Sequence, residues 1–352
     1  MRKIRVLVVD DSALVRDILS QGLAKDPHIE VVGTASDPYV ARDKIVQLKP
    51  DVLTLDVEMP RMDGVEFLRR LMPQYPLPVV MVSALTKKGA AITLAAMEAG
   101  AVEVVTKPST DIARGLTAML GDLRNKVKIA ASVNVSAWKT NQRTSLKPTK
   151  IDNHALAEST DKVIAIGAST GGTQAIRRIV QSFPSTMPGV VIVQHMPAGF
   201  TQHFAESLDS VSRMEVKEAK TGDRVMPGRV LIAPGGFHMR VRRSGGIYQV
   251  DCQKGENVNG HCPSVEVLFQ SVAKYVGANA IGVMLTGMGG DGAQGMLAMR
   301  QAGARTMAQD EATCVVFGMP KVAYQLGGAE CLAPLDSIPN KIMKCLSVGS
   351  GS

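Results

Sequence analysis

The chain has 352 residues, of which 45% are hydrophobic and 20% are charged, so it is long enough for two ordinary folded domains. The net charge of +8 is diffuse, with 17 basic and 16 acidic residues in 1–127 and 18 and 14 in 161–352, and this balance disfavours a nucleic-acid partner. No apolar run approaches the roughly 18 residues of a membrane span, and the acidic pair Asp10-Asp11 comes too early for a signal peptide, so we expect a cytoplasmic protein that does not insert into a membrane.

Residues 1–127 alternate short apolar runs with helical patterns. The runs that we predict as strands are 4–9, 29–32, 52–55, 79–82 and 102–105. Five such βα units predict a doubly wound parallel sheet covered by helices on both faces. In this α/β fold, ligands are expected at the carboxyl ends of the strands.

Polar side chains stand where these strands end. Asp10 and Asp11 follow the first strand, Asp56 the third, Ser83 the fourth and Lys107 the fifth. Because three carboxylates at one edge repel each other unless a hard cation compensates them, the pattern predicts a Mg²⁺ site. The alternative, carboxylates that cap helix starts, accounts for Asp11 but not for a hydroxyl and a lysine at separate strand ends.

Four short motifs occupy these strand ends. They are Val8-Val9-Asp10-Asp11-Ser12, Asp56-x-x-Met59-Pro60-x-Met62-Asp63-Gly64, Met81-Val82-Ser83-Ala84 and Thr106-Lys107-Pro108. Together they resemble the receiver domains of two-component response regulators. The resemblance implies that Asp56 accepts a phosphoryl group from a histidine kinase, and that Asp10 and Asp11 join it in holding Mg²⁺. It further implies that Ser83 and Lys107 sense the phosphoryl oxygens. Val104 departs from the pattern, since many receivers carry a switching aromatic residue there.

The periodic pattern is lost between 128 and 160, where polar residues predict a linker. We therefore divide the chain into a first domain at 1–127, a linker at 128–160 and a second domain at 161–349. The second domain again alternates strands with helices, which predicts another α/β domain with a doubly wound, Rossmann-like parallel sheet. Its five cysteines are odd in number and lack a Cys-x-x-Cys spacing, so we expect neither disulfides nor zinc, and no cofactor in this domain.

The second domain opens with an apolar run that breaks into the glycine-rich segment Gly167-Ala-Ser169-Thr-Gly-Gly172, followed by a predicted helix at 173–180. This places Ser169 at a strand end and close to a helix N-terminus. Taken alone, the segment fits three structures: a Gly-x-Ser-x-Gly nucleophile turn, a dinucleotide-binding loop, or a purely structural turn.

Two further strands bring polar residues to the same edge. One, at 189–195, ends at His195, and its spacing of 26 residues from Ser169 fits one βαβ crossover. Another, at 280–286, runs into Gly287-Met-Gly-Gly-Asp291-Gly292. Serine, histidine and aspartate at three strand ends satisfy the requirement for a nucleophile, its general base and the acid that orients the base. A dinucleotide loop would instead want an acid where Gln194 and His195 stand.

Some of these residues could also have purely structural roles. His195 could be a hydrogen-bonded surface histidine, and Asp291 could cap the helix that follows it, a role that is compatible with catalysis. We expect His238 and His261 on the surface rather than in the pocket. The segment 254–263 has the composition of an active-site loop, although an idle surface loop fits its sequence equally well.

Three motifs of the second domain follow the receiver-like domain in the sequence. They are Gly167-Ala-Ser-Thr-Gly-Gly172, Gln194-His-Met-Pro197 and Gly287-Met-Gly-Gly-Asp-Gly292. The combination resembles the protein-glutamate methylesterases of bacterial chemotaxis, which act on methylated chemoreceptor cytoplasmic domains and also deamidate receptor glutamines. The resemblance implies a nucleophile at Ser169, a base at His195 and an orienting acid at Asp291. The backbone N–H groups of Thr170 and Met288 are the candidates for the oxyanion hole.

The resemblance also implies a control mechanism, in which the unphosphorylated receiver inhibits the esterase and a chemotaxis histidine kinase supplies the phosphoryl group. Two other functions fit the domain pattern. One is a response regulator whose second domain binds a nucleotide or a protein without chemistry. The other is a DNA-binding regulator, but residues 161–349 show no helix-turn-helix pattern with basic recognition residues.

Overall fold

The computed structural model describes residues 2–84, 87–107, 112–133 and 161–347. The chain divides into two compact units, Met1–Ser145 and Leu146–Ser352. Over the described residues, no helix combines the length and the apolar character that a bilayer crossing requires.

The first unit is built on a five-stranded parallel sheet in the order β2-β1-β3-β4-β5. The strands are β1 (Ile4–Val9), β2 (Ile29–Ala35), β3 (Val52–Asp56), β4 (Val79–Ala84) and β5 (Glu103–Lys107). The helices are α1 (Ala13–Ala24), α2 (Pro38–Leu48), α3 (Gly64–Gln74), α4 (Lys87–Ala99) and α5 (Ile112–Ala131). The five predicted βα units are confirmed.

The strand order reverses between β1 and β3, which is the place where a doubly wound sheet opens a crevice for ligands. All five residues of β3 are buried, because helices cover both faces of the sheet. The polar residues that the sequence predicts stand at the carboxyl ends of β1, β3, β4 and β5.

The predicted start of the linker, residue 128, is wrong, because α5 continues to Ala131. The apolar face of this helix persists, with Val127 and Ala130 fully buried. In addition, Lys128 Nζ donates a hydrogen bond to Asp26 Oδ2 at 2.9 Å. The rest of the proposed linker, residues 134–160, lies outside the described residues.

The second unit contains a seven-stranded parallel sheet in the order β15-β14-β13-β6-β7-β10-β8. Its strands are β6 (Val163–Ala168), β7 (Gly189–Gln194), β8 (Glu215–Glu218), β10 (Arg229–Ile232), β13 (Ala280–Met284), β14 (Arg305–Gln309) and β15 (Cys331–Ala333). Its helices are α6 (Gly172–Ser182), α7 (Phe200–Asp209), α8 (Val265–Tyr275), α9 (Ala293–Gln301), α10 (Met319–Gln325) and α11 (Ile338–Ser347). The expected doubly wound α/β architecture is confirmed.

A small antiparallel sheet, which the sequence analysis did not predict, stands beside this core. It has the order β11-β12-β9, formed by β9 (Arg224–Val225), β11 (His238–Ser244) and β12 (Ile247–Gln253). Alternate residues of β11, Met239 and Val241, are buried against the main core. The five cysteines all lie in described parts of this unit and are free thiols.

Candidate functional site

Ser169 follows β6 directly and precedes α6, at the point where the seven-stranded sheet reverses its order. Its carbonyl accepts a hydrogen bond from Gly172 N at 2.7 Å, and its own N–H donates to Thr286 O at 3.0 Å. The first contact closes the turn and the second ties the turn to the end of β13. Gly172 is required for close packing here, since a Cβ at this position would clash with Gln194 Oε1.

His195 follows the neighbouring strand β7, as the spacing predicted. Ala168 pairs with Gln194 in the parallel ladder, and His195 N donates to Ala168 O at 3.1 Å. The buried Gln194 side chain joins the two strand ends, because its Nε2 donates to Ser169 O at 2.9 Å and to His195 O at 3.2 Å. The sheet register thus places His195 next to Ser169.

Asp291 reaches the same place from the segment 287–292, which follows β13. His195 Nε2 lies 2.8 Å from its Oδ2. A Cβ on Gly287, the first residue of this segment, would lie 2.7 Å from Ser169 Cβ, so the segment packs directly against Ser169. The three side chains that the sequence analysis singled out therefore meet at one edge of the sheet.

The Asp291 carboxylate is held by an unusually complete set of donors. Besides His195, the donors are Asn259 Nδ2 (2.9 Å), Ser264 Oγ (2.7 Å), Val265 N (2.7 Å) and Glu266 N (3.3 Å). Burial alone would raise the pKa of Asp291, but the hydrogen bonds from His195, Asn259 and Ser264 outweigh it and lower the pKa to about 2.

Asp291 caps a helix, but not the one that the sequence analysis considered. The N-cap of the following helix, α9, is Gly292, which makes no side-chain capping bond. Asp291 instead accepts the first N–H groups of α8, the helix that begins at Val265. The positive end of that helix dipole further favours the ionised carboxylate.

An ionised Asp291 decides which nitrogen of His195 carries the proton. Because the carboxylate can only accept, the 2.8 Å contact requires a proton on Nε2, and Nδ1 of the neutral ring is then the free base. Nδ1 is buried and has no hydrogen-bond partner among the described residues. Ser169 Oγ likewise makes no hydrogen bond within the described structure, and such contacts often tighten only when substrate is bound.

The segment 254–263 is part of the site, and the expected surface positions of two histidines are wrong. The rings of His261 and His195 stack, with centroids 3.6 Å apart and an angle of 14° between their planes. His238 is 1% exposed, and its Nε2 lies 2.8 Å from Glu256 O. His238 is the first residue of β11, a strand that was not predicted, which explains why sequence alone did not place it.

The two oxyanion candidates flank the nucleophile. Thr170 is buried, and its carbonyl accepts a hydrogen bond from Thr286 Oγ1 at 2.9 Å. Met288 is 49% exposed, in the segment that packs against Ser169. Its backbone N–H finds no acceptor among the described residues.

The second polar site lies at the switch point of the first unit. Asp10, Asp11 and Asp56 each offer a carboxylate oxygen, and these oxygens all lie within 4.8 Å of one another, so the cluster could bind a metal ion. Lys107 Nζ lies 2.8 Å from Asp10 Oδ2 and 3.0 Å from Asp56 Oδ1. Four of the five residues predicted for this site are thus in one cluster.

Burial has opposite outcomes for the two charged partners Asp56 and Lys107. Together with the charge of Asp10, it raises the pKa of Asp56 to about 6, in spite of the nearby Lys107. Burial alone would lower the pKa of Lys107, but its hydrogen bond to Asp10 and the charge of Asp56 raise it above its usual value. An additional cation would relieve the repulsion between the carboxylates.

Ser83, the fifth predicted residue, lies at the end of β4 and is buried. Its Oγ accepts a hydrogen bond at 2.9 Å from Thr93 Oγ1, which is itself fully buried on α4. Thr93 was not predicted from the sequence, since no motif marks it. Asn259 was not predicted either, although the dipeptide Asn259-Gly260 is a strong signal for a tight turn.

Comparisons with known proteins identify the family of each domain. Residues 164–342 match the CheB methylesterase family model, and residues 6–119 match the response regulator receiver domain model. The protein-glutamate methylesterase/protein-glutamine glutaminase of Syntrophotalea carbinolica is 71% identical over 349 residues, covering 98% of both chains. The protein of the same name from Sulfurimonas denitrificans is 55% identical over 347 residues, covering 98% of this chain and 99% of the relative.

Among solved structures, the chain is similar to the Thermotoga maritima CheB methylesterase catalytic domain. The identity is 40% and the TM-score is 0.51, covering 52% of this chain and 97% of the other. The chain therefore belongs to the CheB methylesterase family and combines a response regulator receiver domain with a methylesterase domain.

Proposed function

We propose that this chain is a phosphorylation-controlled serine hydrolase that removes methyl groups from glutamate γ-methyl esters of chemoreceptors and deamidates receptor glutamines. The observation that carries the proposal is the His195–Asp291 pair beside Ser169. Five donors hold Asp291 ionised, which leaves His195 Nδ1 as the base at the strand end next to the nucleophile. The names of the full-length relatives supply the substrate class.

The proposed reaction is acyl transfer in two steps. Ser169 Oγ attacks the ester carbonyl while His195 Nδ1 takes its proton, and the same nitrogen then protonates the departing methoxide, so that methanol leaves and an acyl-serine remains. Water attacks the acyl-serine with His195 again as the base, releasing the glutamate carboxylate and free Ser169. A glutamine side chain follows the same route with ammonia as the leaving group.

The negative charge of the tetrahedral intermediate needs donors at fixed positions. The Thr170 N–H follows the nucleophile and the Met288 N–H lies in the segment packed against it, so we assign both to the oxyanion hole. The assignment of Met288 is supported by its backbone N–H group, which lacks an acceptor in the described structure.

The receiver site is proposed to control this reaction. Asp56 is the phosphoryl acceptor and a chemotaxis histidine kinase is the donor, with Ser83 and Lys107 contacting the phosphoryl oxygens. Asp10, Asp11 and Asp56 would hold Mg²⁺, which fits their all-oxygen donor set and supplies charge compensation during phosphoryl transfer. Lys107 contributes a second positive charge from within the cluster.

Replacement of the nucleophile tests the hydrolase. Ser169→Ala should abolish methanol release from a methylated receptor fragment, a loss on the order of 10⁶-fold, as for other triad nucleophiles. The half-buried Ser169 hydroxyl packs little apolar surface, so circular dichroism should show an unchanged fold. A folded Ser169→Ala protein with near wild-type turnover would remove Ser169 from the mechanism.

Replacement of the acceptor tests the receiver. With acetyl phosphate and Mg²⁺, the wild-type chain should acquire an acid-labile label that Asp56→Asn lacks, because the amide cannot form the acyl phosphate. Chelation of Mg²⁺ should suppress labelling of the wild type. Asp43→Asn, a change at an exposed carboxylate of the same unit, is the matched control and should label normally. Undiminished label on Asp56→Asn would place the acceptor elsewhere.

A further inference from the structure

One short turn contacts both partners of the nucleophile. Val258 and His261 form an isolated antiparallel bridge, each donating its N–H to the carbonyl of the other at 3.0 Å. The two residues between them, Asn259 and Gly260, have φ values of 53° and 84°. Two successive positive φ values define a type I′ turn, for which Asn-Gly is a preferred sequence. We refer to these four residues as the 258–261 turn.

Two side chains of this turn contact different partners. Asn259 Nδ2 donates a hydrogen bond to Asp291 Oδ1 at 2.9 Å. The ring of His261 lies flat on the ring of His195, at 3.6 Å between centroids. The first contact restrains the Asp291 carboxylate. The second restrains rotation of the His195 ring about the bond that joins it to Cβ. Because the turn is closed by its own backbone bonds, both restraints depend on its conformation.

We propose that the 258–261 turn is a positioning element of the hydrolase, in which Asn259 and His261 together hold the Asp291–His195 pair in its productive orientation. The inference rests on the proposed function of Ser169 and adds to it two residues that need not touch the substrate. The contribution is expected in turnover rather than in substrate affinity, since neither contact holds the acyl group.

Substitutions at Asn259 separate this role from a merely structural one. Asp is as compatible as Asn with the left-handed backbone and with a type I′ turn, so Asn259→Asp keeps the turn. It replaces a donor by a second carboxylate facing Asp291. A positioning role therefore predicts that Asn259→Ala lowers kcat about 10-fold, the loss of one hydrogen bond to a charged group, and that Asn259→Asp lowers it further. A structural role predicts that Asn259→Asp is tolerated.

Substitutions at His261 test the stacking contact. His261→Ala should lower kcat about 10-fold with KM within about 2-fold of the wild type, and His261→Phe should restore most of the rate because it keeps a flat ring. His203→Ala is the matched control, since His203 lies on α7 and contacts Glu206 rather than the site.

The backbone of the turn offers a third test with a close control. A Cβ at Gly260 or at Gly222 would meet nothing within 4 Å in the described structure, and both glycines have left-handed φ values, 84° and 92°. Gly260→Ala and Gly222→Ala therefore introduce the same kind of backbone strain without a clash. Only Gly260→Ala should lower kcat, and Gly260→Asn should lower it less, because Asn tolerates this conformation.

All variants are measured as full-length chains by methanol release, with circular dichroism for folding and Ser169→Ala in parallel. The proposal is overturned if Asn259→Asp matches wild-type kcat, if His261→Phe is no faster than His261→Ala, or if Gly260→Ala is no slower than Gly222→Ala. An inactive Ser169→Ala with wild-type turn variants would reject this inference alone. An active Ser169→Ala would reject the proposed function itself.

Discussion

At the scale of single residues, Asp291 is the member of the proposed triad with the most hydrogen bonds. A carboxylate offers about four lone-pair positions, and five donors converge on this one. The same side chain orients His195 and satisfies the first N–H groups of α8. Its replacement should therefore affect both catalysis and stability.

Asp291→Asn should lower turnover on the order of 10²–10⁴-fold, because the amide no longer selects the Nε2–H tautomer of His195. It should also lower the free energy of unfolding by about 1–3 kcal/mol, because several buried donors lose their acceptor. Methanol release and urea denaturation measure the two effects. The control is Asp209→Asn. The Asp209 carboxylate accepts a hydrogen bond from Val216 N at 2.8 Å, on another edge of the unit. Its replacement should lower stability and leave turnover near the wild-type value. Turnover of Asp291→Asn within 2-fold of the wild type would contradict the assignment.

The stability of the wild type relative to Asp291→Asn should depend on pH. The pKa of Asp291 is about 2 in the folded protein, against about 3.9 for an unperturbed aspartate. A carboxyl group whose pKa is lower in the folded state stabilises the protein at pH values above its unfolded-state pKa. This stabilisation is lost as the pH falls toward the folded-state pKa. The stability gap should be constant from pH 7 to about 5 and smaller by about 1 kcal/mol at pH 3. A gap that stays constant down to pH 3 would show that the carboxylate is not held ionised.

At the scale of elements, both sites are built where strands of a parallel sheet end. In the receiver unit, a buried hydrogen bond also joins two elements, from Thr93 on α4 to Ser83 at the end of β4. The Ser83–Thr93 contact is a candidate link between the proposed phosphorylation site and α4.

Thr93→Val removes this hydrogen bond at nearly constant volume. If the bond restrains Ser83 in the unphosphorylated receiver, its loss should lower the acetyl phosphate concentration that gives half-maximal esterase activity. The control is Thr54→Val, because Thr54 is equally buried but its Oγ1 has no partner among the described residues. A requirement for more phosphodonor in Thr93→Val than in Thr54→Val would show that the bond supports the activated state instead.

At the scale of the whole molecule, the chain joins a signalling unit to a catalytic one. The similar Thermotoga maritima structure consists of the catalytic domain alone, so that domain of the relative folds by itself. An inhibitory receiver would make activity depend on the presence of the first unit and on its phosphorylation.

Residues 155–352 alone should therefore hydrolyse a methylated receptor fragment faster than the unphosphorylated full chain. Interdomain coupling of about 1–3 kcal/mol corresponds to roughly 5- to 150-fold in activity. Adding acetyl phosphate and Mg²⁺ should stimulate the full chain and leave the fragment unchanged. A fragment no faster than the unphosphorylated full chain would favour a receiver that targets the enzyme rather than inhibits it.

The sequence was sufficient for the parts of the fold that follow from local patterns. The apolar runs at β1, β3, β6 and β7 located the strand ends, and parallel pairing then brought Asp10 near Asp56 and Ser169 near His195. Contacts between segments that are not paired as neighbouring strands of a sheet could not be predicted. Asn259 lies 32 residues from Asp291, and its hydrogen bond depends on the loop that carries it rather than on a strand. The three-stranded sheet was missed for a related reason, since a local pattern does not identify a strand's partner.

The capping of α8 by the Asp291 carboxylate affects the hydrogen exchange of two backbone amides. The amide protons of Val265 and Glu266 are donated to Asp291 rather than to a neighbouring turn of their own helix. Their exchange with solvent deuterium therefore requires the carboxylate to move away, which also separates Asp291 from His195. In the absence of substrate, the exchange rates of these two amides should therefore report how often Asp291 separates from His195.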